Sequence, residues 1–201
     1  MPAGLSNLFD ALLFDFDGTL ADTERIHHRA WNRALEPIGI QWDWAYYEKN
    51  CVGVADALLL KNYDVPDPAG YVARKKDLFK QELHSSQPFP EETLKLVREL
   101  SKSYRMAVVS SSFRHDVEPP LTRAEINGCF QFLVCAEDVK SLKPSPEPYL
   151  LAAQKIGAKK PLVIEDSAFG VAAGKAAGFS VLRVSGPHGA AGEVREYLSR
   201  L

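Results

Sequence analysis

Five short apolar runs punctuate the chain. The first, Ala11-Leu12-Leu13-Phe14, ends in Asp15-Phe16-Asp17-Gly18-Thr19-Leu20; the others are Met106-Ala107-Val108-Val109-Ser110, Phe132-Leu133-Val134-Cys135, Leu162-Val163-Ile164-Glu165-Asp166 and Val181-Leu182-Arg183-Val184. Such runs read as strands buried on both faces. Helical patterns separate the later ones, as at Glu147 to Ile156 and Ala168 to Ala177, so right-handed crossovers predict an α/β fold with a doubly wound parallel sheet. Gly170, Gly174 and Gly178 read as small residues for close helix packing.

Between the first run and the second the period changes. From Thr23 to Ile38 the apolar residues Ile26, Ala30, Trp31, Ala34, Leu35 and Ile38 recur at helical spacing and Gly39 closes the run. A second amphipathic run covers Pro68 to Leu83, Pro88-Phe89-Pro90 interrupts the chain, and Glu91 to Leu100 predicts one more helix. The pattern therefore divides the chain into an α/β catalytic core, residues 1–20 and 87–201, and an inserted all-helical cap, residues 21–86. The cap is expected to sit over the sheet edge as a lid, with Trp42, Trp44, Tyr46 and Tyr47 in its own core.

Composition narrows the function classes. The chain has 201 residues, 46% of them hydrophobic and 25% charged, enough for one core and a small second domain. A net charge of −2 gives no electrostatic footprint for nucleic acid or an anionic membrane. No apolar run reaches membrane-spanning length, and Met1-Pro2-Ala3-Gly4-Leu5-Ser6 lacks the basic and apolar segments of a secretory signal. Cys51, Cys129 and Cys135 are odd in number, widely spaced and without zinc-type spacing, which fits unpaired thiols in a reducing cytoplasm. The expectation is a cytoplasmic monomer whose partner is a small-molecule phosphate ester.

The chemistry gathers at strand ends. Side chains alternate along a strand, so Asp15 and Asp17 leave one side of the chain while Phe16 turns into packing. Two anions so close repel unless a cation lies between them, and a hard, oxygen-seeking Mg²⁺ is the natural candidate. Ser110-Ser111-Ser112 ends the second run, Glu165-Asp166-Ser167 the fourth, and Lys143 precedes a helix opened by Pro144-Ser145-Pro146. Ligands of an open parallel sheet bind outside the carboxyl ends of its strands, so these residues can meet. A nucleophilic carboxylate, a second acid, a metal ligand, hydroxyl donors and an ammonium suit phosphoryl transfer. For Asp17 to act as an acid its pKa must rise, which burial beside Asp15 would bring about.

With these residues in place, the chain resembles the haloacid dehalogenase superfamily phosphohydrolases with a small helical cap. Their four motifs are matched in order by Asp15 through Thr19, by Ser110, by Lys143-Pro144 and by Glu165-Asp166-Ser167, across nearly the whole chain. The resemblance implies that Asp15 attacks phosphorus to form an aspartyl phosphate and that Asp17 protonates the leaving group and then activates water. It implies Mg²⁺ held by Asp15, the backbone carbonyl of Asp17 and Asp166, with Glu165 nearby, and a phosphoryl group bound by Ser110, Ser111 and Lys143. The presence of Asp17 speaks against dehalogenation, since a departing halide needs no proton.

In the cap, Asp22 through Trp31 resembles the β-phosphoglucomutase and sugar-phosphatase branch, which also has a histidine where His27 stands. Glu24, His27 and Lys75 are the substrate-binding candidates there; their plainer readings are packing or solvent-facing residues, with Arg74-Lys75-Lys76 a solvated face. After Gly53-Val54, where the mutase has a phosphate-gripping arginine, this chain has Ala55-Asp56. An aspartate there repels a second phosphate, so the expectation is a Mg²⁺-dependent sugar-phosphate phosphatase, with a sugar-phosphate mutase as the alternative. A phosphate-sensing module of the receiver type is disfavoured, because receivers carry their phosphorylated aspartate on a later strand and lack a large helical insertion.

Overall fold

The computed structural model describes residues 8–52, 54, 56–61 and 63–201; residues 1–7, Gly53 and Ala55, which entered the sequence argument, lie outside them. The chain divides into two compact units that meet at Asp22/Thr23 and at Pro88/Phe89, two residues beyond each boundary expected from the sequence.

The α/β unit is a five-stranded sheet in the order β3-β2-β1-β4-β5, with every pair parallel. Its strands are β1 (Ala11–Phe14), β2 (Arg105–Val109), β3 (Phe132–Val134), β4 (Pro161–Glu165) and β5 (Ser180–Arg183). The order runs one way from β1 to β3 and the other way from β4 to β5, so the switch point lies between β1 and β4. Alternation sorts the strand residues into two cores. Leu12, Phe14, Met106, Val108, Leu162 and Ile164 pack on one face, while Ala11, Leu13, Ala107, Val109 and Val163 pack on the other.

Helices cover both faces. In the helical unit the helices are α1 (Thr23–Leu35), α2 (Trp44–Asn50), α3 (Asp56–Leu59) and α4 (Pro68–Ser85); in the α/β unit they are α5 (Glu91–Leu100), α6 (Arg114–Arg123), α7 (Glu147–Ile156), α8 (Ala168–Ala176) and α9 (Pro187–Ser199). Buried residues of α5, α6 and α9 complete the Leu12 face, and those of α7 and α8 complete the Leu13 face. Gly174 lets α8 approach the sheet, where an added Cβ would come within 2.8 Å of Val181. Gly178, read as a packing residue, has open space around it and instead supplies the positive φ, 78°, of the turn after α8.

The helical unit has its own core of Trp31, Leu35, Trp42, Tyr47, Cys51, Leu60 and Val65. α1 passes into a short 3-10 turn, Glu36–Ile38, and Gly39 closes it at φ 69°, as the sequence pattern required. Asp43 caps α2 and Asp67 caps α4 through their side chains. Asn32 holds the connection after α1 by donating to Trp42 O and accepting from Trp42 N. Of the aromatic quartet, Trp42 and Tyr47 are buried and Trp44 half-buried under the Arg25 guanidinium, but Tyr46 is exposed and bonds Tyr63 at the surface.

Each unit encloses a thiol. Cys51 is buried in the helical core and Cys135 just beyond β3, and no helix among the described residues is long and apolar enough to cross a membrane.

Candidate active site

β1 is aligned with Phe14 opposite Val108 on one side and Ile164 on the other, so the next residue, Asp15, emerges beside Glu165 at the switch point. Asp15 N donates to Ile164 O at 3.0 Å, which continues the ladder one residue past the strand. By parity Asp15 and Glu165 both belong to the α7 face, and Phe16 turns to the opposite core against Phe89.

The chain then reverses. Leu20 N and Ala21 N both donate to Phe16 O, and Gly18 takes φ 81°. Gly18 is required twice over: the conformation is left-handed, and a Cβ would stand 2.4 Å from Asp166 Oδ2. The turn also buries Thr19, whose hydroxyl donates to Asp166 Oδ1 at 3.0 Å.

Lys143 joins the acids. Its Nζ donates to Asp15 Oδ1 and Glu165 Oε1, both at 2.6 Å, and to Val109 O at 2.8 Å, which uses all three ammonium protons. Glu165 is fully occupied: Oε1 also accepts from the Tyr149 hydroxyl at 2.8 Å, and Oε2 accepts from Ser167 N and Ser167 Oγ. Gly170 gives that carboxylate its room, since a Cβ there would fall 1.6 Å from Oε1. Asp15 Oδ2, by contrast, is buried and has no hydrogen-bond partner.

The charges follow from this packing. Burial holds the Asp15 carboxyl well above the usual range; Lys143 opposes this, while Glu165 and Asp17 add to it. Burial pulls the Lys143 ammonium down, but the two carboxylates outweigh it and the net shift is upward. Burial also raises Asp166, against the hydrogen bond from Thr19.

Asp15, Glu165 and Asp166 each offer a carboxylate oxygen, and these three atoms lie within 4.8 Å of one another. The donor set is all oxygen, which suits a hard divalent cation, and Asp15 Oδ2 is a buried carboxyl oxygen with no other partner. Glu165 fits less well than the sequence suggested, because a metal would have to displace hydrogen bonds that already satisfy both of its oxygens.

Asp17 is half-buried rather than enclosed. Its Oδ2 accepts from Ser112 Oγ at 2.7 Å and from Ser110 Oγ at 3.2 Å, and Ser110 Oγ itself accepts from Ser112 N at 2.9 Å. Ser112 was not among the sequence-derived candidates, whereas Ser111, which was, is exposed. Period-2 alternation was the available signal, since residues 110 and 112 leave the chain on one side. Tyr149 and Thr19 were also missed as parts of the cluster; nothing local in the sequence distinguishes them from packing and turn residues.

The candidates of the helical unit form a separate arrangement. Lys75 is buried, not part of a solvated face, and its Nζ donates to both oxygens of Asp56, at 2.9 and 3.0 Å. Asp56 is therefore a neutralised partner rather than a free anion, and the charge argument against a second phosphate loses its basis. The Lys75 ammonium also lies 5.5 Å from the Trp31 ring centre and 5.7 Å from that of Phe79. His27 stacks on Phe79 with centroids 3.9 Å apart; its Nδ1 is buried without a partner, and burial, helped by Lys75, lowers its pKa to about 3. Glu24 Oε2 accepts from the Tyr47 hydroxyl at 3.2 Å.

Comparison with known proteins gives consistent results. The sequence profile of the haloacid dehalogenase-like hydrolases matches residues 12–184. Fructose-1-phosphate phosphatase YqaB of Escherichia coli is 31% identical over 88% of this chain and 96% of its own length. A phosphorylated carbohydrates phosphatase of Thermotoga maritima is 30% identical over 84% of this chain and 82% of its own. Among solved structures, CbbY of Rhodobacter sphaeroides in complex with phosphate superposes with a TM-score of 0.67 at 26% identity, covering 89% of this chain and 87% of that one. A haloacid dehalogenase-superfamily hydrolase of Geobacter sulfurreducens reaches a TM-score of 0.81 at 18% identity, over 96% and 98% of the two chains, a likeness of fold.

Proposed function

Since the chain belongs to the haloacid dehalogenase-like hydrolases and is a phosphoric monoester hydrolase, we propose that it is a Mg²⁺-dependent phosphatase of small phosphorylated metabolites, sugar phosphates foremost, acting through a phosphoenzyme on Asp15. The observation that carries this reading is the state of Asp15: a buried carboxylate with one oxygen held by Lys143 and the other bare.

In the proposed reaction an Asp15 carboxylate oxygen attacks phosphorus and the ester P–O bond breaks. The departing alkoxide takes its proton from Asp17, whose carboxyl is oriented by Ser110 and Ser112. Asp17, now ionised, accepts a proton from water as that water attacks phosphorus; the bond to Asp15 breaks, and inorganic phosphate leaves with both aspartates restored. Lys143 and the Ser110 hydroxyl contact the transferring oxygens. Asp15, Asp166 and the Asp17 carbonyl would hold Mg²⁺, which supplies neutralising charge to the phosphoryl group.

Phosphatases of fructose 1-phosphate and of phosphorylated carbohydrates among the relatives support the sugar-phosphate class. With Asp56 paired to Lys75, the mutase reading has to be decided by product, and Glu24, His27 and Lys75 remain the proposed substrate-side residues of the helical unit. The reading includes a cytoplasmic monomer. A panel of hexose and pentose phosphates, followed by phosphorus NMR with Mg²⁺ and with chelator, tests it. Metal-dependent release of inorganic phosphate is the expected result, and conversion of a 1-phosphate into a 6-phosphate without release would replace it with the mutase.

A further inference from the structure

Tyr149 lies on α7, beneath the ammonium of Lys143, and is wholly buried. Its ring centre is 4.9 Å from Lys143 Nζ, and its hydroxyl donates to Glu165 Oε1, the same oxygen that Lys143 holds. The phenol is the donor in this 2.8 Å contact, since a carboxylate oxygen only accepts. A phenylalanine would fill the same space without the problem of a buried hydroxyl, so the hydroxyl is there for Glu165.

What it does for Glu165 follows from counting protons. All three protons of Lys143 are engaged, so the ammonium can reach a phosphoryl oxygen only by releasing one of its present acceptors. If it releases Glu165, Oε1 becomes a buried anionic oxygen with no donor, unless something else bonds it. Tyr149 supplies that bond. Among the described residues no other donor reaches Oε1, the two contacts of Ser167 being with Oε2.

We propose that Tyr149 is a positioning residue for phosphoryl transfer: its hydroxyl holds Glu165 Oε1 so that Lys143 can exchange that oxygen for the transferring phosphoryl group. This rests on the phosphatase reading above. Its demand is greatest where the phosphoryl group is in transit, so the hydroxyl matters more to the transition state than to substrate binding.

The experiment is Y149F, which keeps the ring, its packing and its face towards the ammonium. The expected result is kcat down about tenfold with KM within twofold, vanadate affinity weakened about tenfold while that of orthophosphate changes less than twofold, and an unchanged melting temperature. In wild-type protein labelled with ¹⁵N-lysine, vanadate should shift the protected Nζ signal of Lys143, and in Y149F that shift should shrink. Active wild type with Y149F within twofold in kcat and in vanadate affinity overturns the inference alone. So does a lowered melting temperature with phosphate and vanadate affinities falling together, which would make Tyr149 a core residue only. Wild-type protein that releases no phosphate from any ester overturns the phosphatase reading and this inference with it.

Discussion

In the α/β unit one buried ammonium, Lys143, faces two buried carboxylates, Asp15 and Glu165, whereas in the helical unit one buried ammonium, Lys75, faces the single carboxylate of Asp56. The first arrangement has one more carboxyl than its ammonium can neutralise, so that Asp15 is pushed well above the usual carboxylate range, and it leaves Asp15 Oδ2 with nothing to bond; the second closes on itself, with both Asp56 oxygens on one Nζ. A buried carboxyl with an unbonded oxygen and a strongly raised pKa costs stability, and its retention marks the place where a cation and an anionic ligand are to be received. Unpaired atoms occur in the helical unit too, at His27 Nδ1 and Trp31 Nε1, but both belong to neutral rings. Their cost is that of a missing hydrogen bond on an atom that carries no charge.

The comparison breaks if Asp15 proves to be merely structural. Asp15→Asn should lower turnover by about 10³-fold or more, because an amide is a very poor nucleophile. Circular dichroism and melting should show an intact fold, and a variant that is inactive only because it unfolds would remove the distinction between the units. Metal removal comes next in size. Chelator should abolish phosphate release, and Asp166→Ala should raise the Mg²⁺ concentration for half-maximal activity by roughly tenfold or more. Titration of activity against Mg²⁺ reads this directly.

Two further measurements sharpen the other side. Lys75→Met should destabilise the helical unit by about 2 kcal/mol, since it leaves Asp56 without its partner. Asp56 keeps some solvent contact, which limits the loss, and adding Asp56→Leu should recover most of it; urea unfolding of the single and double variants checks both. The last measurement is a pH slope. His27 protonates near 6.5 in the unfolded chain but near 3 in the folded one, so unfolding takes up a proton between those values. The stability it contributes is complete above pH 6.5 and is lost progressively as pH falls towards 3. His27→Leu should flatten that part of the urea-midpoint profile against pH.

The fold of the α/β unit was legible because its signals are local. Apolar runs mark the strands, and Glu91–Leu100 and Glu147–Ile156 carry clear helical periodicity, so both helices run between the residues the pattern indicated. The acids at the strand ends were legible for the same reason, position at the end of a run being enough to bring Asp15 and Glu165 together. Pairing at a distance was not. Arg74-Lys75-Lys76 looks like any charged stretch, and only the packing of α3 and α4 shows that Lys75 is enclosed and that Asp56, nineteen residues earlier, neutralises it. Ser112 stood in plain view in a serine run, and alternation would have preferred it to Ser111. Tyr149 carries no signal at all in the sequence, because an apolar helix face reads the same with or without a hydroxyl turned towards Glu165.

The two enclosed thiols make each unit report on itself. Cys51 sits in the helical core and Cys135 behind β3; burial raises both, Cys135 to about 12, so neither reacts as a thiolate while its surroundings stay shut. An alkylating reagent added to the native protein therefore acts as a clock for local opening, with each cysteine counting the excursions of its own unit. Peptide mapping of the label separates the two counts, and Cys129, only partly covered, supplies the reference for a thiol that needs little opening.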